Sequence, residues 1–132
     1  MVYDVVIVGA GPAGLTAALY AGRSKLKTKL LEKDAVGGQI LLTELIENFP
    51  GVYRMNSFDW VEVVKKQLAD LDQIELQEGA GVDKLEKNGK EFRLHVHSDT
   101  AGEPEVLEAR SIILATGARP RRMGIPGENK LT

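Results

Sequence analysis

Residues 5–14 read Val-Val-Ile-Val-Gly-Ala-Gly-Pro-Ala-Gly, an apolar strand running straight into G-x-G-x-x-G. This feature says most about the chain, because it points to a ligand class and gives each glycine a task of its own. Gly9 lets the chain turn sharply off the strand. Gly11 has no side chain, so a pyrophosphate can approach the backbone there. Gly14 lets the following helix pack close to the strand. The helix N-terminus then offers unpaired N–H groups and a partial positive charge to an anion. Pro12 stands in the first helical turn, where its missing N–H costs nothing. Taken alone, the motif also fits a strand–turn–helix that uses glycine for geometry only, so the flanking chain decides.

The flanks fit a βαβ unit. The strand before the motif is continuous and apolar, as a parallel strand covered on both faces should be. The helix after it carries Leu15, Ala17, Ala18 and Ala21 and is expected to stop near Gly22. A second strand is expected at residues 28–31, ending in Glu32, 18 residues beyond Gly14. A carboxylate there can accept hydrogen bonds from both ribose hydroxyls of an adenosine, and it repels a 2′-phosphate. This favours FAD or NAD over NADP. Glu32 by itself would read as a solvated strand end; within the whole unit it reads as a ribose ligand. Lys27 and Lys29 share one face of the second strand, so that face is expected to be incompletely buried.

Composition narrows the rest. The 132 residues suffice for one domain with a real core. A net charge of −2, with no long run of one sign, points to neither nucleic acid nor an anionic membrane surface. No apolar stretch has the length of a transmembrane helix. No signal peptide precedes the first strand, so the expected location is cytoplasmic. The sequence has no cysteine, which excludes disulfides, thiolate metal sites and any cysteine-based redox step carried by this chain. His95 and His97 would share a strand face, but two ligands do not close a zinc site. They are expected on an ordinary exposed face, with no metal. Arg119, Arg121 and Arg122 read as a solvated loop.

Beyond the βαβ unit, Val36-Gly37-Gly38-Gln39 makes a glycine-rich bend. Residues 40–46 are expected to be helical or irregular, and Pro50-Gly51 suits a type II turn. A helix capped by Asn56 or Ser57 follows, with Trp60, Val64, Leu68 and Leu71 on one face; Trp60 reads as core. From Asp72 the period falls to two. A short parallel strand is expected at 74–76, then an antiparallel meander over 81–86, 92–96 and 105–109. Asn88-Gly89 makes its first hairpin turn and residues 99–103 its second. Ser111-Ile112-Ile113-Leu114-Ala115-Thr116-Gly117 reads as another buried parallel strand. The tail, with Pro120, Gly124, Pro126 and Gly127, is turn-rich.

A parallel βαβ sheet, a three-stranded meander as crossover and a strand ending Ala-Thr-Gly are more specific together than any one of them. The chain resembles the N-terminal FAD-binding half of the two-domain pyridine nucleotide–disulfide oxidoreductases, and among them the low-molecular-weight thioredoxin reductases. The likeness covers essentially the whole chain. It rests on residues 3–15, Glu32, Gly37-Gly38-Gln39, Glu47-Asn48-Phe49-Pro50-Gly51, Leu114-Ala115-Thr116-Gly117-Ala118 and Gly124-Ile125-Pro126-Gly127-Glu128, in that order and spacing.

The resemblance implies an α/β fold: a three-layer FAD/NAD(P)-binding Rossmann-like domain with a parallel sheet and a crossover meander, incomplete at its C-terminal end. It implies an FAD-binding domain over 1–118 and an exit or hinge segment over 119–132, leading toward an NADPH domain that this chain lacks. Gly9, Gly11, Pro12, Ala13 and Gly14 would form the pyrophosphate loop, and Glu32 would hold the adenosine ribose. Gly38 and Gln39 would lie along the flavin end, and Thr43 and Asn48 would approach the ribityl chain and flavin edge. Val82 would offer backbone groups to the adenine. Ala115, Thr116 and Gly117 would close near the diphosphate. Blander roles stay open: turns for Gly38 and Gly117, the start of the Pro-Gly turn for Asn48, core for Val82. No catalytic residue and no metal are expected here, since a second nucleotide motif and a C-x-x-C pair are both missing. The implied whole enzyme is a homodimer that carries electrons from NADPH through FAD to a thioredoxin-like protein disulfide. A ferredoxin–NADP reductase of the same architecture, or a non-catalytic dinucleotide-binding module, remain the alternatives.

Overall fold

The computed structural model describes residues 1–98, 104–119 and 121–128. Its first three elements are β1 (Val2–Val8), α1 (Pro12–Arg23) and β2 (Thr28–Leu31). A short 3-10 turn, Gly38–Leu42, leads to a two-residue pair, β3 (Leu45–Ile46) with β4 (Met55–Asn56). Then come α2 (Ser57–Ala69), β5 (Ile74–Gln77), β6 (Ala80–Asn88), β7 (Glu91–Ser98) and β8 (Glu105–Leu114). The main sheet runs β5-β2-β1-β8-β7-β6. The strands β5, β2, β1 and β8 are mutually parallel, and β6, β7 and β8 form the antiparallel meander.

Alternation along the central strands sends side chains to two separate cores. Val5, Ile7 and Leu30 pack with Leu15 and Ala18 of α1 and with Trp60, Val64 and Leu68 of α2. Val6 and Leu31 point the other way and meet Leu94, Val96, Leu107 and Ala109 of the meander. Three layers result: helices, parallel sheet, meander. Full burial of a side chain such as Ile7 or Leu30 on one face, or Leu31 or Leu94 on the other, stabilises by about 1.5–3 kcal/mol each, so both faces of the sheet contribute.

Local signals set the start of α2. The Asn56 side chain accepts from Phe58 N–H at 2.9 Å, and Asp59 places a negative charge in the first turn. Trp60 is buried, as its place on the helix face required, and Phe49 meets its ring edge-on at 5.8 Å. Gly51 has φ +83, which the expected type II turn needs.

Two features differ from the sequence reading. Residues 38–42 form a 3-10 turn, within the helical or irregular expectation, but Leu45–Ile46 and Met55–Asn56 pair as two-residue strands too short to show a period. The meander's last strand and the Ala-Thr-Gly strand are one: β8 pairs with β7 through residues 105–109 and with β1 on to Leu114. The face of Lys27 and Lys29 is indeed polar. Lys29 Nζ lies 3.4 Å from Glu75, its cross-strand neighbour, and Tyr3 O–H donates to that carboxylate at 2.7 Å. Tyr3 reaches this face because Asp4 N–H and Val5 N–H both donate to the Lys27 carbonyl, which interrupts the alternation of β1. Burial, and then the bond to Glu75, raise the Tyr3 phenol above its ordinary range, while that bond lowers the Glu75 carboxyl. The second meander turn, 99–103, and Pro120 lie outside the described residues.

His95 and His97 do share a face of β7, and each is paired. His95 Nε2 is 2.7 Å from Glu86 and His97 Nδ1 is 2.9 Å from Asp83. Among the described residues no cluster of three or more metal-ligating side chains occurs.

Candidate functional site

The chain passes from β1 to β2 on one side, and later to β8 on the other. The crevice at the C-terminal ends of β1 and β8 is therefore the switch point of this sheet, where α/β folds bind ligands. Three loops meet there: Gly9–Pro12, Glu32–Gln39 and Ala115–Arg119.

The three motif glycines behave differently, as the fingerprint requires. Gly9 has φ +101, and a Cβ on it would lie 2.3 Å from the Ala115 carbonyl oxygen. A Cβ on Gly14 would lie 1.8 Å from the Gly9 carbonyl oxygen, so α1 sits as close to β1 as glycine allows. A Cβ on Gly11 would meet nothing within 4 Å. Gly11 thus faces open space, while Gly9 and Gly14 are closed by backbone. Pro12 opens α1, and its first turn has neither a side-chain cap nor an acidic residue. The N–H groups of that turn, Ala13 and Gly14 among them, have no intrahelical acceptor and could receive an anion.

Glu32 is buried directly beside this loop. Its Oε2 accepts from Ala10 N–H at 2.7 Å and its Oε1 from Asp34 N–H at 2.9 Å. The glycine pair closes the other side: Gly37 N–H donates to the Ala10 carbonyl at 2.8 Å. Gly37 adopts φ +119 and Gly38 φ +58, and a Cβ on Gly38 would come within 3.2 Å of the Gly11 Cα. Ala115 N–H bonds the Val8 carbonyl at 2.8 Å, which fixes the start of the third loop; Thr116 and Gly117 beyond it are exposed.

The structure thus brings together Gly9, Gly11, Pro12, Gly14, Glu32, Gly38 and Ala115. Gln39 joins them by donating from its amide to the Ala118 carbonyl. Val82 lies two residues beyond Ala80, whose N–H donates to the Glu32 carbonyl at 2.8 Å, and its side chain packs against the meander core. Thr43 and Asn48 are exposed on the segment leading to and around the β3–β4 turn. One cross-link was not legible in the sequence: Arg119 pairs with Asp34 at 2.9 Å. Its partners lie 85 residues apart, and only the fold unites them.

The family model for the pyridine nucleotide-disulphide oxidoreductases matches residues 3–132. The chain belongs to that family. It is 42% identical over 130 residues to the thioredoxin reductase of Treponema pallidum, with 97% of this chain covered, and 40% identical over 131 residues to that of Listeria monocytogenes, with 99% covered. Among solved structures, Lactococcus lactis thioredoxin reductase in its FR conformation superposes with a TM-score of 0.84 at 38% identity, over 97% of this chain. The chain spans 39% of the length of those two relatives and 40% of the solved one. The resemblance to the FAD-binding half of such enzymes and the Rossmann-like architecture both hold.

Proposed function

We propose that this chain is the FAD-binding portion of a thioredoxin reductase-like oxidoreductase. The whole enzyme would move electrons from NADPH, with FAD, to the disulfide of a thioredoxin-like protein. The observation that carries the reading is the contrast between Gly11, open, and Gly9 and Gly14, closed, beside a buried Glu32. Gly9–Gly14 would take the pyrophosphate and Glu32 the ribose hydroxyls. Ala115, Thr116 and Gly117 would flank the diphosphate. Gly38, Gln39, Thr43 and Asn48 would line the flavin end, and Val82 the adenine. When bound, FAD supplies the redox chemistry; these residues bind it and orient it.

Residues 1–118 form the FAD-binding domain in this reading, and 119–132 the exit toward an NADPH domain. The redox-active cysteine pair would also come from outside this cysteine-free chain. The homodimer and the cytoplasmic location go with the same reading. Among the described residues no helix is long and apolar enough to cross a membrane.

The test is the visible spectrum of the purified full-length protein, followed by NADPH-dependent turnover with thioredoxin. Flavin absorbance and thioredoxin reduction are expected. A colourless protein that binds NAD would favour a dinucleotide-sensing module. A yellow protein active only with ferredoxin would move it to the ferredoxin–NADP reductases.

A further inference from the structure

We propose that Glu32 positions the glycine loop through the same carboxylate that would recognise the ribose, so that one side chain couples the pyrophosphate grip to adenosine recognition. The inference rests on the dinucleotide reading above and adds a task that exists before any ligand arrives.

The loop hangs on Ala10, which is fully buried. Its N–H ends on Glu32 Oε2 at 2.7 Å, and its carbonyl receives Gly37 N–H at 2.8 Å. Glu32 is itself anchored at every polar group. Its N–H donates to the Gln77 carbonyl at 2.9 Å, its carbonyl accepts from Ala80 N–H, and its second carboxylate oxygen accepts from Asp34 N–H. The residue therefore joins β2 to β5, to the start of β6 and to two loops.

Two backbone donors converge on this side chain, so it must present two acceptor oxygens. Only a carboxylate does so. A glutamine would turn an NH2 group against one of the two N–H groups, and an alanine would leave Ala10 N–H buried without a partner. An ionised carboxylate has about four lone-pair positions. The loop takes two, which leaves two for the two hydroxyls of a ribose. The loop alone already demands an acid here, and ribose recognition uses the remaining capacity of the same group.

The experiment separates loop positioning from ribose contact. Full-length protein freed of flavin is titrated calorimetrically with ADP and with 2′,3′-dideoxy-ADP, as wild type and as Glu32→Gln. Dideoxy-ADP has no ribose hydroxyl for Glu32 to hold. Glu32→Gln is nonetheless expected to bind it about tenfold more weakly than wild type, the scale set by one lost hydrogen bond. Equal or tighter binding of dideoxy-ADP by the variant would overturn the proposal, because a ribose-only role predicts no loss and removing a negative charge near phosphate predicts a gain. Amide hydrogen exchange of the ligand-free proteins gives a second readout. Ala10 exchange should accelerate about tenfold or more in Glu32→Gln and Glu32→Ala, with Ile7 unchanged. Unaltered Ala10 exchange would likewise refute positioning. Wild type that binds neither nucleotide would refute the dinucleotide reading and the coupling with it, while the exchange data would still report whether Glu32 holds the loop.

Discussion

Gly11→Ala and Gly14→Ala make the same chemical change three residues apart, and the structure expects opposite consequences. Gly11 has φ −72 and ψ −179, an extended conformation open to any residue, and its added methyl meets nothing within 4 Å. Less freedom in the unfolded chain would stabilise by about 0.4–1 kcal/mol. A worse N-cap would cost a similar amount, so the ligand-free fold should change by less than about 1 kcal/mol. Gly14→Ala brings its methyl within 1.8 Å of the Gly9 carbonyl oxygen, where real contacts need 3.0 Å or more. Both sides of that contact are backbone, so α1 must back away from β1 and loosen Leu15 and Ala18, which are fully buried. Overpacking of this kind costs about 1–3 kcal/mol, and a shift of the whole helix places this case at about 3 kcal/mol. Urea unfolding of flavin-free full-length protein, followed by circular dichroism, reads the stability. Retained flavin absorbance after gel filtration reads the site. Gly11→Ala should fold like wild type and lose flavin; Gly14→Ala should be the unstable one. A Gly11→Ala protein that keeps stoichiometric flavin, or that unfolds as readily as Gly14→Ala, would refute the assignment of the open position to the ligand.

Three further outcomes follow from the same contacts. The ammonium of Lys84 and then His95 hold the Glu86 carboxyl down to about 2, from an ordinary 4.5. Its stabilising contribution is therefore complete above 4.5 and is lost as pH falls toward 2; carboxyl NMR titration should find Glu86 moved up more by Lys84→Ala than by His95→Ala. Trp60→Ala should destabilise by about 3–5 kcal/mol, since it empties a buried site against Phe49 and the α1 face, while Trp60→Phe should cost clearly less in thermal unfolding. The 132-residue chain on its own should elute from size exclusion as associated species with little flavin and show no NADPH-dependent disulfide reduction, because it lacks cysteine and leaves Ile113 and Leu114 exposed. A flavin-loaded monomer would contradict that.

What the sequence revealed and what it hid divide along physical lines. Period and turn chemistry act over a few residues, so β1, α1, the limits of β2, the Asn56 cap and the Asn88-Gly89 hairpin were all legible. The glycine motif also carried its three-dimensional meaning, because each glycine answers a local steric demand. Contacts between distant segments left no such trace. Nothing near Tyr3 announces Glu75, and nothing near Asp34 announces Arg119. The role of Gly37 was half visible: a glycine pair marks a bend, but only the fold shows its N–H on Ala10. Residues 105–114 look like two strands because burial changes midway. The first half packs against the meander core, and the second half keeps a strand neighbour only on the β1 side among the described residues.

That long strand explains why a site at one end of the sheet depends on packing at the other. Ala115, Thr116 and Gly117 leave β8 directly, so their position is set by the register of β8 against β1, with Leu114 opposite Val8. In a strand of period two, a slip of one residue would turn every side chain over and carry Ala115 away from Gly9. The parallel half alone specifies this register weakly, since Ile113 and Leu114 are both exposed. The antiparallel half specifies it strongly: Leu107 and Ala109 are buried in the second core, and Leu94 opposes Leu107 across the ladder. The meander thus works as an anchor. It fixes β8 at its far end, and β8 delivers the third loop against the Gly9 turn, where less than one methyl group of space remains.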